Sequence, residues 1–291
     1  MRSSNPVLSR RGFTSGAGGG GGYAGFNTAP AGPAMGAGPD AGNPYATNPY
    51  AADAYARQAA AGRPGAMTMD DVVSRTAITL GTVVVTAVLA WLALPVDEGN
   101  LGKSYGIAFG AAVVALVLGL IQSFKRRPVP ALIVAYAAFE GFFLGVLSNV
   151  VSTYIAPGVV VEAVLGTMAV FAGTLLAYRM RWIRVTRRFT RFVTAAAMGF
   201  LILMLVNLLF SLFTHGDGLG FRSGGLGIAF GIIGIVLGAC FLALDFKQVE
   251  DGVAHRAPRE ESWLAAFGLT MTLVWIYLEV LRVLSILQSD N

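Results

Sequence analysis

Four ionisable side chains fall inside long apolar runs of the sequence: Glu140 in YAAFEGFFLG, Asp245 in FLALDFKQVEDGV, and Glu279 with Arg282 in WIYLEVLRVL. A charge at the centre of a membrane helix costs about 2.5 to 3.5 kcal/mol on insertion scales, so such groups usually have a partner or a task. Carboxylates held in a bundle can line an ion path, relay protons or offer the oxygen ligands that calcium prefers. Each residue also has a structural reading. Glu140 fits a buried acid paired to a neighbouring helix, and Asp245 fits an interfacial residue if its run ends early. Glu279, with Arg282 three positions on, fits a local ion pair.

The elements that must position these groups are legible in the composition. Of 291 residues, 55% are apolar and 13% charged, against about 25% charged in an ordinary soluble domain. Runs of about 20 apolar residues, enough to cross roughly 30 Å of hydrocarbon at 1.5 Å per residue, recur seven times. They cover about Thr76–Pro95, Tyr105–Phe124, Val129–Ile155, Val159–Tyr178, Phe192–Phe213, Gly224–Val249 and Trp263–Leu287. The expected fold is therefore all-α, a bundle of seven transmembrane helices over 67–291. Residues 1–66, rich in Gly, Ala and Pro with almost no aliphatic core, read as a disordered tail, because they cannot bury enough apolar area to offset chain entropy. Its two Asn-Pro-Tyr triplets, at Asn43 and Asn48, read as low-complexity drift or as a docking motif.

The net charge of +5 would point to nucleic acid in a soluble chain, but here the cations gather in alternate loops. Arg57, Arg63 and Arg75 precede the first span, Lys125, Arg126 and Arg127 follow the second, and six arginines from Arg179 to Arg191 separate the fourth and fifth. The positive-inside rule then puts the N-terminus in the cytoplasm and the C-terminus outside a cell membrane, with the Asp245 end of the sixth span facing inward. No nucleic-acid partner is expected; the bilayer is.

Enzyme chemistry finds no support. There is no GxSxG and no HExxH, and the two histidines, His215 and His255, fall in loops on opposite faces. A retinal protein would need a lysine in the seventh span, which has none. No resident cofactor is expected. SRRGF, Ser9–Phe13, has the twin arginines of an export signal but is followed by glycine rather than an apolar stretch. The single cysteine, Cys240, excludes an intramolecular disulfide and reads as a small packing residue.

Glycines four apart in the sixth span, Gly227 with Gly231 and Gly234 with Gly238, suggest close helix packing and a central position. With Val249 and Trp263 at the inner membrane edge, Asp245 lies about 6 Å in and Glu279 about 24 Å in. If Trp263–Leu269 lies outside that edge, Thr270–Leu287 still spans, and Glu279 moves toward Asp245. Acids that met there could not both ionise cheaply and would titrate as a coupled pair.

Over about Ala66–Asn291 the chain resembles the Bax inhibitor-1 / YccA-like family, the transmembrane BAX inhibitor motif proteins, and in particular its bacterial members. The resemblance rests on seven spans, FEGFFLG in the third, LALDFKQV ending the sixth and YLEVLRVLSIL in the seventh. It implies a seven-helix bundle with a central C-terminal helix, and a pH-sensitive calcium leak channel built around a pair of acids. Asp245 takes the part of the sixth-helix aspartate. In the seventh helix the family has aspartate in a YLD context where this chain has Glu279 in YLE; a gap-free alignment from the C-terminal end instead sets Thr272 at that position. A basic latch on Asp245 would come from Lys125 or Arg126, near the end of the second span.

The expectation is thus an ion path and pH sensor made of Asp245, Glu279 and Glu140, with Arg282 as an ion-pair partner and calcium held weakly and transiently by Asp245 and Glu279. The other reading is a membrane scaffold or regulator that binds a membrane protease or another membrane protein, in which the tail would be the docking element.

Overall fold

A computed structural model of the chain describes residues 65–94, 96, 99–214 and 224–289. The tail through residue 64, with both Asn-Pro-Tyr triplets, and the loop holding His215, Asp217 and Arg222 lie outside the described residues. Seven helices follow in order: α1 (Met69–Ala93), α2 (Leu101–Phe124), α3 (Pro130–Tyr154), α4 (Val159–Arg179), α5 (Arg187–Thr214), α6 (Gly224–Ala254) and α7 (Glu261–Ser289). All seven are long and apolar enough to cross a membrane.

Local chemistry sets several of the helix ends. Thr68 and Asp71 form a reciprocal capping box at the start of α1: the Asp71 amide donates to the Thr68 hydroxyl oxygen at 3.1 Å, and the Thr68 amide donates to the Asp71 carboxylate at 3.3 Å. Pro130 opens α3, where its missing N–H costs nothing. Helices run past the apolar runs at charged ends: α1 begins at Met69 rather than Thr76, α5 at Arg187 rather than Phe192, and α6 continues to Ala254 rather than Val249. Hydropathy marks where the chain meets hydrocarbon, whereas the backbone stays hydrogen-bonded through the interfacial turns that follow.

α7 is the central helix. It packs against α1, α3, α4 and α6, and Ala266, Thr270 and Ile276 along it are fully buried. Trp263–Leu269 forms its first turns, with Ala265, Ala266, Phe267 and Leu269 buried. α5 is peripheral and lies along α6, with Phe200 stacked on Phe230 at 4.4 Å between ring centroids.

Two close approaches depend on the absence of a side chain. On α3, a Cβ at Gly145 would overlap the Ala87 carbonyl oxygen of α1 and lie 2.8 Å from that residue's Cα. On α6, Gly231, Gly234 and Gly238 receive Val283, Glu279 and Ile276 of α7, which gives the glycine spacing of the sixth span its physical meaning.

The bundle is clamped at the end where α1 begins. The Met67 amide donates to the Ala257 carbonyl at 2.8 Å, and the Arg259 amide to the Gly65 carbonyl at 2.7 Å. Arg259 also pairs with Asp71 at 2.8 Å. Arg75 donates to the Arg259 carbonyl and the Ser262 hydroxyl and lies over the Trp263 ring, 5.2 Å from its centroid. These contacts fasten the entry to α1 onto the α6–α7 turn.

Candidate functional site

Asp245 projects from the last third of α6 toward α7 and is half-buried. The Thr272 hydroxyl donates a 2.6 Å hydrogen bond to one of its carboxylate oxygens. One turn away on α7, Gly268 leaves room for the other: a Cβ there would stand 3.3 Å from it. Gly268 and Thr272, four residues apart, share one face of α7, and that face cradles the carboxylate. Among the described residues no basic side chain forms an ion pair with Asp245. Lys247, two positions on, is engaged with Asp251 at 2.8 Å and Glu250 at 3.6 Å.

Glu279 has a different setting. Its carboxylate pairs with Arg282 at 2.6 Å, with the two side chains 8% and 16% exposed, respectively. It lies against Gly234, where a Cβ would come within 2.8 Å of the carboxylate, and the Arg282 guanidinium lies 5.9 Å from the Phe230 ring centroid. The α6 residue level with Glu279 is therefore Gly234, eleven positions before Asp245, or about 16 Å along the helix axis. The two acids do not face one another. The partner that α7 offers Asp245 is Thr272: positions 272 and 279 lie on one face of α7, and in the antiparallel hairpin 272 is level with the end of α6 while 279 is level with its middle.

Glu140 is half-buried on α3, one turn from Tyr136, which packs edge-on against Phe267 at 5.1 Å. Among the described residues no hydrogen bond or ion pair engages Glu140. Lys125 and Arg126 follow the end of α2, both exposed, and neither forms an ion pair among the described residues. The buried residue at that turn is Gln122, whose side-chain oxygen accepts from the Val129 amide at 3.1 Å. Among the described residues no group of three or more His, Cys, Asp or Glu side chains could hold a metal ion, and the Asp245 and Glu279 carboxylates do not converge on one.

Other polar contacts of α7 escape sequence reasoning. Thr270 bonds Thr79 of α1 through their hydroxyls at 2.8 Å, and Tyr277 bonds Ser148 of α3 at 2.6 Å. The only available signal was a hydroxyl residue recurring within an apolar run, at Thr270, Thr272 and Tyr277. With the Thr272–Asp245 bond to α6 and the Gln288 side-chain amide donating to Glu162 of α4 at 3.1 Å, these give α7 polar contacts to α1, α3, α4 and α6.

A family model described as Bax inhibitor 1 like matches residues 5–289. That match takes in most of the tail, whereas the resemblance noted in the sequence began at about Ala66. No curated protein matches the chain significantly.

Proposed function

The chain belongs to the Bax inhibitor-1-like family and carries seven membrane-spanning helices, and from that premise we propose that it is a pH-sensitive calcium leak channel whose gate is Asp245. The observation that carries this reading is an intramembrane carboxylate bonded to the hydroxyl of the adjacent helix, with no cation paired to it among the described residues. Calcium takes six to eight oxygen ligands. One carboxylate and one hydroxyl attract the ion without retaining it, which suits a leak better than a storage site. The family's acid pair takes a modified form here: Thr272 stands where the second acid is expected, and Glu279 is neutralised by Arg282. The arginines between the fourth and fifth helices support an orientation with the N-terminus and the Asp245 end in the cytoplasm.

The direction of gating follows from the Thr272–Asp245 bond. A hydrogen bond to a carboxylate is roughly twice as strong as one between neutral groups. Acid protonates Asp245, replaces the charge-assisted clamp between α6 and α7 with a neutral one, and so opens the path. In liposomes, calcium entry should rise several-fold from pH 8 to pH 6, and Asp245→Asn should hold the acid-level flux across that range. A flux that ignores pH, or that is equal in Asp245→Asn and wild type at every pH, would reject the proposal.

A second reading, a membrane scaffold for a protease or another membrane protein, draws on the pairing of Gly65 and Met67 with the α6–α7 turn, which fixes the start of the described chain on that turn. Deleting residues 1–64 separates the two and leaves that pairing in place. A channel keeps its pH-dependent flux, whereas a scaffold loses capture of its partner.

A further inference from the structure

A groove of about 840 Å³ runs between α1 and α4, floored by α3 and α7. Its walls are α1 residues such as Val84, Val88 and Trp91 and α4 residues such as Val164 and Met168. The backbones of α1 and α4 do not approach within 8 Å of each other, so among the described residues these two helices leave the gap open. Val84, Val88, Val164 and Met168 are 60%, 52%, 44% and 62% exposed. No charged side chain lines the groove among the described residues, and the polar groups on its floor, Ser148 and Tyr277, are already bonded to each other.

The dimensions select the occupant. The groove follows Leu80–Leu92 on α1 and Val160–Ala172 on α4, about 18 Å on each helix at 1.5 Å per residue. α1 runs from Met69 to Ala93 and α4 from Val159 to Arg179, so the groove takes up the second half of α1 and, on α4, starts near the first residue and passes the middle by about one turn. One leaflet of hydrocarbon is about 15 Å thick. The groove's roughly 18 Å is little over half of the roughly 30 Å that a spanning helix of a partner or of a second copy would occupy, and it matches the depth of one lipid tail. Trp91 sits at its open end, where an aromatic ring meets the headgroup level.

We infer that the groove between α1 and α4 is a binding site for a membrane phospholipid, held by an acyl chain lying against α3 and α7. The full chain in nanodiscs of phosphatidylcholine bearing a diazirine on one acyl chain tests this. After illumination, adducts mapped by mass spectrometry should accumulate on Val88, Val164 and Met168 several-fold above those on Leu201 and Leu205, which face lipid from α5. Filling the groove with Val88→Trp and Ala172→Trp should bring labelling of Val164 and Met168 down to the α5 level. Size-exclusion elution and unchanged α5 labelling check the folding of both variants, and the wild-type ratio stands without them. Equal labelling of groove and α5 in the wild type would overturn the inference, as would groove labelling by a diazirine fatty acid but not by the phospholipid.

Discussion

Gly145→Ala should leave little folded protein in the membrane. The added Cβ would overlap the Ala87 carbonyl oxygen and crowd that residue's Cα at 2.8 Å, and both are backbone atoms of a helix that cannot swing aside as a side chain can. Overpacking a well-fitted interior typically costs about 1–3 kcal/mol. Here two helix backbones must separate along their length, so the loss belongs at or above the top of that range. Gly141, one turn earlier, faces Val83 and Thr86 of α1 in the same way, so no neighbouring slack exists to absorb the shift. The monodisperse yield after detergent extraction and the melting temperature report the effect. Gly173→Ala, at a helical position with nothing within 4 Å of the new methyl, is the matched control and should be neutral or slightly stabilising, since alanine is favoured over glycine inside a helix by about 0.5–1 kcal/mol.

The second large effect concerns Arg282. Arg282→Met removes the cation paired with the Glu279 carboxylate, which is only 8% exposed. Removing one partner of a buried pair costs about 3–5 kcal/mol, whereas replacing both with groups of similar volume is often close to neutral. Thermal denaturation should therefore show a large loss for Arg282→Met and recovery of most of it in Glu279→Gln/Arg282→Met. If the double replacement is as unstable as the single one, the pair's value lies in other contacts of the arginine. Retention of pH-dependent calcium flux by the stable double variant is also expected, because the proposed gate is about 16 Å away.

These predictions draw on both what could be read from the sequence and what could not. Seven spans were legible because about twenty consecutive apolar residues admit few other uses, and Glu279–Arg282 was legible because three residues bring side chains onto one helix face. The axial distance between Asp245 and Glu279 was nearly legible too, since the rise per residue is constant. Which residue faces Asp245 was left between Glu279 and Thr272, because the two share one helix face and only the register of the hairpin separates them; Thr270, a hydroxyl that hardly alters an apolar run, was not legible. The Asp71–Arg259 clamp was hidden for another reason. The α6–α7 loop carries nearly balanced charge, which is uninformative about topology, and its partner lies 188 residues away in sequence.

The central claim is that Asp245 and Thr272 act as one unit that senses acid. Calcium entry into liposomes at pH 8 and pH 6, measured for wild type, Asp245→Asn, Thr272→Val and the combination, tests it as a double-mutant cycle. If the two side chains form the gate, each single variant should lose the pH response and the combination should lose no more than either alone. A Thr272→Val variant with the full wild-type response, or effects of the two changes that simply add, would contradict it.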